Sequence, residues 1–339
     1  MQQARDAGFR VVNLRPLAED LNRVRDHDLT GWISVGSDPT RIRQLVAAWK
    51  SHPALSFWET EDEPSYQWQK AGPRIPPEKI RQAYALLKSL DPGRPVYLNH
   101  APTNLVSTLQ AYNPGGDIIA TDIYPVIPHG IRQMYALWPD GRQGDLLNTH
   151  ISQVGQYADK MRRVAGAGRA VFMVLQAFAW EDLREKDRDP RMVLYPTRAQ
   201  LRFMAWQSII HGVSGLLYWG LYSLPPDSGL WDDLQSVTRE IASLEAALGG
   251  APLPAAVAVE YHDTGHSLDR GIEWRVGALG RDTLLMAANA DPNPVEVTFR
   301  GIFGRNCEVL HESRSLNLIS GTMRDRFQPF EVHLYRLPA

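Results

Sequence analysis

Apolar residues along the first three quarters of the chain follow two alternating rhythms. Short, nearly continuous runs read as buried strands. They are Phe9 to Leu14, Gly31 to Val35, Ala54 to Glu61, Pro95 to Asn99, Asp117 to Ile123, Ala170 to Ala177 and Gly215 to Tyr218. Between them apolar positions recur three and four residues apart, which is helix spacing. Ile42, Leu45, Val46 and Trp49 lie on one such stripe, and Ile80, Tyr84, Leu87 and Leu90 on another. Helices are also predicted over Leu17 to Asp26, Leu147 to Ala165 and Leu230 to Leu248, and from a Thr197 cap to His211. After Gly249-Gly250-Ala251-Pro252-Leu253-Pro254 the rhythm changes. Short strands are expected at Ala256 to Val259, Ile272 to Val276, Thr283 to Ala288, Val295 to Phe299, Cys307 to Leu310 and Phe330 to Tyr335.

Near-continuous apolar strands alternating with helices predict a parallel sheet covered by helices. A doubly wound sheet would carry a glycine-rich phosphate loop after its first strand, and neither GxGxxG nor GxxxxGK[ST] occurs. The fold class expected is therefore an α/β (TIM-type) barrel over residues 1–249, followed by a small antiparallel β-sandwich over 250–339. The chain opens on what reads as the end of a helix, Gln2 to Ala7, so the barrel is expected to lack its first strand, or to have it upstream.

With 339 residues, 44% of them hydrophobic, the chain can bury a large core. A formal net charge of −2 gives no field to attract nucleic acid or an anionic membrane. One cysteine, Cys307, excludes an internal disulfide and a cysteine-based zinc site. No HExxH or ligand-spaced histidine cluster is present, so neither metal nor cofactor is expected. Met1 to Gly8 lacks the apolar core of a signal peptide, and no apolar run is long enough to span a bilayer. The chain reads as soluble; an export signal, if present, would lie upstream of Met1. Oligomeric state is not written in the sequence.

In a parallel barrel, chemistry sits at the C-terminal strand ends. The strand from Ala54 runs into Trp58-Glu59-Thr60-Glu61-Asp62-Glu63-Pro64, four carboxylates within five residues. If the strand stays regular, Glu59, Glu61 and Glu63 share one face; a bulge before Pro64 would turn Asp62 inward instead. Crowded carboxylates raise one another's proton affinity, which suits a general acid. Other strand ends carry Asn99-His100, Asp122-Ile123-Tyr124, Gln176 followed by Trp180-Glu181, and Tyr218-Trp219. The ordinary reading of these groups is a solvated acidic turn and barrel-mouth packing. The functional reading is a sugar site, with aromatic faces for stacking and amides for hydroxyl groups.

Four segments together resemble glycoside-hydrolase-like barrels of the large retaining clan. They are His52-Pro53-Ala54-Leu55 with Trp58 and Asp62-Glu63-Pro64; Leu90-Asp91-Pro92 with Arg94-Pro95-Val96; Asp122-Ile123-Tyr124-Pro125; and Arg202 to Gly215 with Tyr218-Trp219. The resemblance covers roughly 1–248, and the tail is similar to the sandwich often appended to such barrels. It implies hydrolysis of an oligo- or polysaccharide, with Glu63 as acid/base. The clan's nucleophile, a glutamate, is replaced by Gln176, whose amide cannot serve as one. Asp122 or Glu181 then supplies the second carboxylate, the substrate assists its own cleavage, or the barrel binds glycan without cutting it. The catalytic candidates are Glu63 and Asp122. The substrate-binding candidates are Trp58, Glu61, Asn99, His100, Tyr124, Gln176, Trp180 and Trp219. Glu181, in a charged stretch, is expected in a solvated loop.

Overall fold

The computed structural model describes residues 1–66, 72–128, 148–225, 228–262, 271–302, 304 and 306–338. The seven predicted strands form one curled parallel sheet: β1 (Val11–Leu14), β2 (Thr30–Ser34), β3 (Leu55–Glu59), β4 (Val96–His100), β5 (Ile118–Ile123), β6 (Ala170–Gln176) and β7 (Gly215–Trp219). Each pairs with its neighbour in chain order, and among the described residues β1 and β7 do not pair with each other. The sheet is therefore a barrel left open along one seam. Phe9 and Tyr218 meet edge to face at the seam, ring centroids 6.3 Å apart.

Both faces of this sheet are buried, which is why its strands read as continuous apolar runs. Phe57, Tyr97, Ile118, Ala120, Val174 and Leu217 fill the interior of the curl. Their chain neighbours point outward. Trp58, Val96 and Ile33 pack on the early helices, Leu98 and Ile119 on the middle ones, and Met173 and Leu175 on the late ones.

Local chemistry fixes the helices. Asp38 accepts a hydrogen bond from the Arg41 backbone at the start of Pro39–Trp49, and Pro39 stands where an amide proton is not needed. Thr197 and Gln200 form a reciprocal capping box at the start of Arg198–Ile210. The helix expected from Leu147 begins at Gln153; position 147 lies outside the described residues. The closing helix expected to Leu248 breaks after Ser243 and resumes at Glu245–Leu248.

The tail is the expected antiparallel sandwich, with more strands than its apolar runs suggest. One sheet orders β13 (Arg314–Asn317), β12 (Asn306–Val309), β15 (Val332–Leu337), β10 (Asp282–Asn289) and β9 (Ile272–Leu279). The other orders β14 (Thr322–Phe327), β11 (Val295–Arg300) and β8 (Ala258–Tyr261). β13 and β14 were not expected, because Arg314, Arg324, Asp325 and Arg326 mask their alternation. Leu285, Phe299, Phe327 and Tyr335 fill the space between the sheets. The opposite face of β10, with Leu284, Met286 and Ala288, joins the core around helix Arg198–Ile210. The sandwich thus shares a core with the barrel. Polar ties reinforce the junction: Arg202 donates 2.5 Å to the Val332 carbonyl. His211 sits between Asp159 (3.1 Å) and Glu273 (3.0 Å), and these two carboxylates outweigh its burial and push its pKa up to about 9.

No described helix is long and apolar enough to cross a membrane.

Candidate active site

At the C-terminal end of the curled sheet, each strand turns one side chain inward near its last residue. Asn13, Ser34, Glu59, Asn99, Asp122, Val174 and Trp219, one from each strand in order, line a single cavity of ≈ 1280 Å3 that extends into the seam. A barrel strand rim presenting side chains of this mixed polarity is where the fold places binding and chemistry.

β3 stops at Glu59, two residues earlier than expected. The regular strand that would have aligned Glu59, Glu61 and Glu63 is absent, and the three carboxylates part company. Glu59 remains on the interior face. Its Oε2 accepts from Trp32 Nε1 at 3.0 Å and from the Ser34 hydroxyl. Burial pushes its pKa up to about 7, against the pull of those two donors, and the nearby Asp62 and Glu61 charges add to the rise. Glu61 turns instead toward the loop after β2 and accepts from Ser37 Oγ at 2.6 Å. Glu63 adopts φ 43°, in the left-handed region that non-glycine residues seldom occupy. This twist, directly before Pro64, swings both Asp62 and Glu63 to the cavity wall. The loop is held by its own backbone: Tyr66 N donates to Glu63 O, and Ile75 N to Pro64 O, each at 3.0 Å.

Glu63 hydrogen-bonds to Asp122. Burial is the largest cause of the rise in both pKa values; the Asp122 and Asp62 charges and the bond to Asp122 raise Glu63 further, whereas Asp122 is raised further by the Asp62 charge and eased down by the bonds from Asn99 and Glu63. The pair therefore keeps one proton well above the ordinary carboxylate range. Asn99 Nδ2 donates to Asp62 Oδ1 at 2.9 Å and to Asp122 Oδ1 at 3.2 Å, so its amide orientation is fixed by two acceptors. Arg74 lies near enough to Glu63 to draw its pKa partly back down.

The other side of the cavity is aromatic. Tyr124 and Trp219 stack at 5.6 Å, and Phe178 meets Tyr124, Trp180 and Trp219 edge to face at 5.0, 5.1 and 4.9 Å. Trp180 Nε1 donates 3.2 Å to the Tyr124 carbonyl. Trp219 and Tyr222 meet edge to face at 5.6 Å, and Tyr222 is 75% exposed. Gly220, at φ 102°, makes this cluster possible: a β-carbon there would lie 2.5 Å from Phe178 Cβ.

The structure thus brings Glu63, Asp122, Asn99, Tyr124, Trp180 and Trp219 to one cavity and leaves four other candidates off its wall. Trp58 faces the helix layer, fully buried, with Nε1 donating 3.0 Å to Asp91 and Arg94 over its ring. His100 lies on the same outward parity, buried against Tyr112, and burial lowers its pKa to about 3. Glu61 is taken up by Ser37. Gln176 is buried, and its amide clamps backbone: Oε1 accepts from Val126 N (2.8 Å), and Nε2 donates to Val126 O (2.9 Å) and Phe178 O (3.0 Å). Glu181 is not in a solvated loop. It is buried and accepts from Asp189 N at 2.7 Å, closing the loop it belongs to.

Glu59, Trp32, Ser34, Tyr97, Phe178 and Tyr222 were not among the candidates. Their signal was strand parity. Once Asp122 and Asn99 are set inward, Tyr97 and Ala120 follow, but a strand buried on both faces gives no alternation by which to set β2 or β3.

An open parallel barrel followed by an antiparallel sandwich is a fold this chain shares with solved glycoside hydrolases. Among solved structures the chain is similar to an α-amylase from Geobacillus thermoleovorans complexed with acarbose. The TM-score is 0.56 at 9% identity, over 99% of this chain and 90% of that one. It is also similar to a GH30 endoxylanase from Clostridium papyrosolvens C71, with TM-score 0.55 and 10% identity over 99% and 91% of the two chains. A maltogenic α-amylase, AmyB from Thermotoga neapolitana, gives TM-score 0.54 and 11% identity over 100% and 92%. No protein-family model matches the sequence, and neither does any curated protein.

Proposed function

We propose that the chain hydrolyses a glycosidic bond in an oligo- or polysaccharide, with Glu63 as the proton donor. The observation that carries this reading is the buried Glu63–Asp122 carboxyl pair on the wall of an aromatic-lined cavity. A glycosidic oxygen leaves only if it is protonated as its bond breaks, and a carboxyl group still protonated near neutral pH can do that. Asp122 acts as the electrostatic partner. It keeps the proton on Glu63 until transfer, and its negative charge then faces the positive charge developing on the sugar ring. The pair is in direct hydrogen bond, closer than the ~5–5.5 Å or ~6.5–9.5 Å at which two carboxyl groups flank a scissile bond. The two are therefore one proton-holding unit on one side of the substrate. Trp180, Trp219, Tyr124 and Asn99 would hold sugar rings and hydroxyls. The acarbose complex of the amylase neighbour supports carbohydrate as the ligand class.

The test is a panel of oligosaccharides scored for released reducing ends with wild type and Glu63→Gln. Wild type should release sugar. The variant should lose at least ~10²-fold, the usual contribution of a general acid, while still binding the glycan. Unchanged turnover in the variant would remove Glu63 from the mechanism.

One observation favours a second reading, a barrel that binds glycan without cutting it. The β6 end, where the resemblance expects a nucleophile, holds only the Gln176 backbone clamp. Binding across the panel with no released sugar from wild type decides for it.

A further inference from the structure

Hydrolysis by direct attack of water, without a covalent intermediate, needs one group to activate the water and another to protonate the leaving oxygen, and the Glu63–Asp122 pair supplies only the second. Five carboxylates line the cavity: Glu59, Asp62, Glu63, Asp122 and Glu245. Glu245 stands at the opposite end of the strands, paired with Arg10 at 2.9 Å. Asp62 is exposed and held by Asn99. Glu63 and Asp122 are committed to each other. Glu59 remains, and it is built differently from the rest. It is 7% exposed, it stands on a strand rather than a loop, and both of its hydrogen bonds, from Trp32 and Ser34 on β2, fall on Oε2. That leaves Oε1 as the oxygen available to a water in the cavity.

We propose that Glu59 is the general base of the reaction, a reading that rests on the hydrolase function proposed above. A water held at Glu59 Oε1 loses a proton to that oxygen as its own oxygen bonds to the anomeric carbon. The glycosidic C–O bond breaks on the opposite face, and the leaving oxygen takes the proton from Glu63. Glu59 ends protonated and Glu63 ionised, and exchange with solvent resets both. The water is thereby divided between the two products with no other reactant. Because water displaces the leaving group directly, the anomeric configuration inverts. This chemistry needs no nucleophile at position 176.

The surroundings suit the role. Trp32 and Ser34 orient the carboxylate and favour its ionised form. Burial, with the Asp62 and Glu61 charges nearby, raises its pKa to about 7, in the range useful to a base near neutral pH. Buried Tyr97, also on the cavity wall, lies within the electrostatic reach of both Glu59 and Asp122.

The experiment uses a panel of nitrophenyl glycosides with wild type, Glu59→Gln and Glu59→Ala, the fold of each variant checked by its melting temperature. Glu59→Gln keeps acceptor and shape; it should lose ~10²–10⁴-fold in kcat with KM little changed. The acidic limb of the kcat/KM profile, set by ionisation of the base, should disappear. In Glu59→Ala, azide should enter the vacated space and restore turnover, yielding a glycosyl azide of inverted configuration. Proton NMR of the wild-type reaction should show the inverted sugar first. A retained product, or wild-type kcat in a folded Glu59→Gln, overturns the role of Glu59 while leaving that of Glu63 intact. Absence of any release by wild type overturns both.

Discussion

The Glu63 and Asp122 side chains hydrogen-bond to each other, although one stands in the loop after β3 and the other on β5. Two carboxyl groups make such a bond only if one is protonated. The site therefore holds a proton that the unfolded chain releases, and this links its chemistry to the stability of the fold.

The sign of that link can be measured. Burial raises Glu63 and Asp122, and raises Glu59 to about 7, all above the roughly 4 of carboxyl groups in an unfolded chain. Between those limits the folded state binds more protons than the unfolded one, so these groups make stability fall as pH rises. Glu63→Gln removes one of them while keeping its shape. Its melting temperature should match wild type near pH 4 and exceed it by a few degrees at pH 9, taking ~2–4 °C per kcal/mol. Parallel melting curves across that range would show that no proton is held.

Gln176 lends itself to a structural prediction. Its amide satisfies three buried backbone groups, on Val126 and Phe178. Gln176→Ala should cost about 3 kcal/mol or more in chemical denaturation, since three buried groups are left unpaired at about 1–3 each. Gln176→Glu should also destabilise, because a carboxylate would face the Val126 and Phe178 carbonyls. It should not raise glycosidase turnover.

A third prediction concerns the sandwich. Asp325 accepts from Tyr335 Oη (2.7 Å) and Arg314 (2.9 and 3.0 Å), with His333 Nδ1 at 2.9 Å. Burial alone would raise the Asp325 pKa, but these partners hold it well below the ordinary carboxylate range. Asp325→Ala leaves Arg314 and buried His333 without their shared anion and should cost about 3–5 kcal/mol. A group depressed in the folded state stabilises above its unfolded pKa and loses that contribution as pH falls through the folded value. The gap between variant and wild type, followed by urea unfolding, should therefore narrow under acid.

Much of the fold was legible because burial on both faces writes strands as unbroken apolar runs: Ala170 to Ala177 and Asp117 to Ile123 announce β6 and β5 almost to the residue. The same property hid the site. With no alternation along Leu55–Glu59, nothing in the sequence told whether Trp58 or Glu59 faced inward, and the strand was carried on to Glu61. The left-handed turn at Glu63 is a backbone conformation that its residue type does not announce. β13 and β14 escaped notice because the Arg314–Asp325 network places charges where a strand usually shows apolar residues.

The open seam carries a consequence of its own. Along their outer margins β1 and β7 hold backbone donors and acceptors that only another extended segment can fully use. Asn13 and Trp219 stand on those same two strands and on the cavity wall. An extended segment that paired into the gap would therefore also border the cavity.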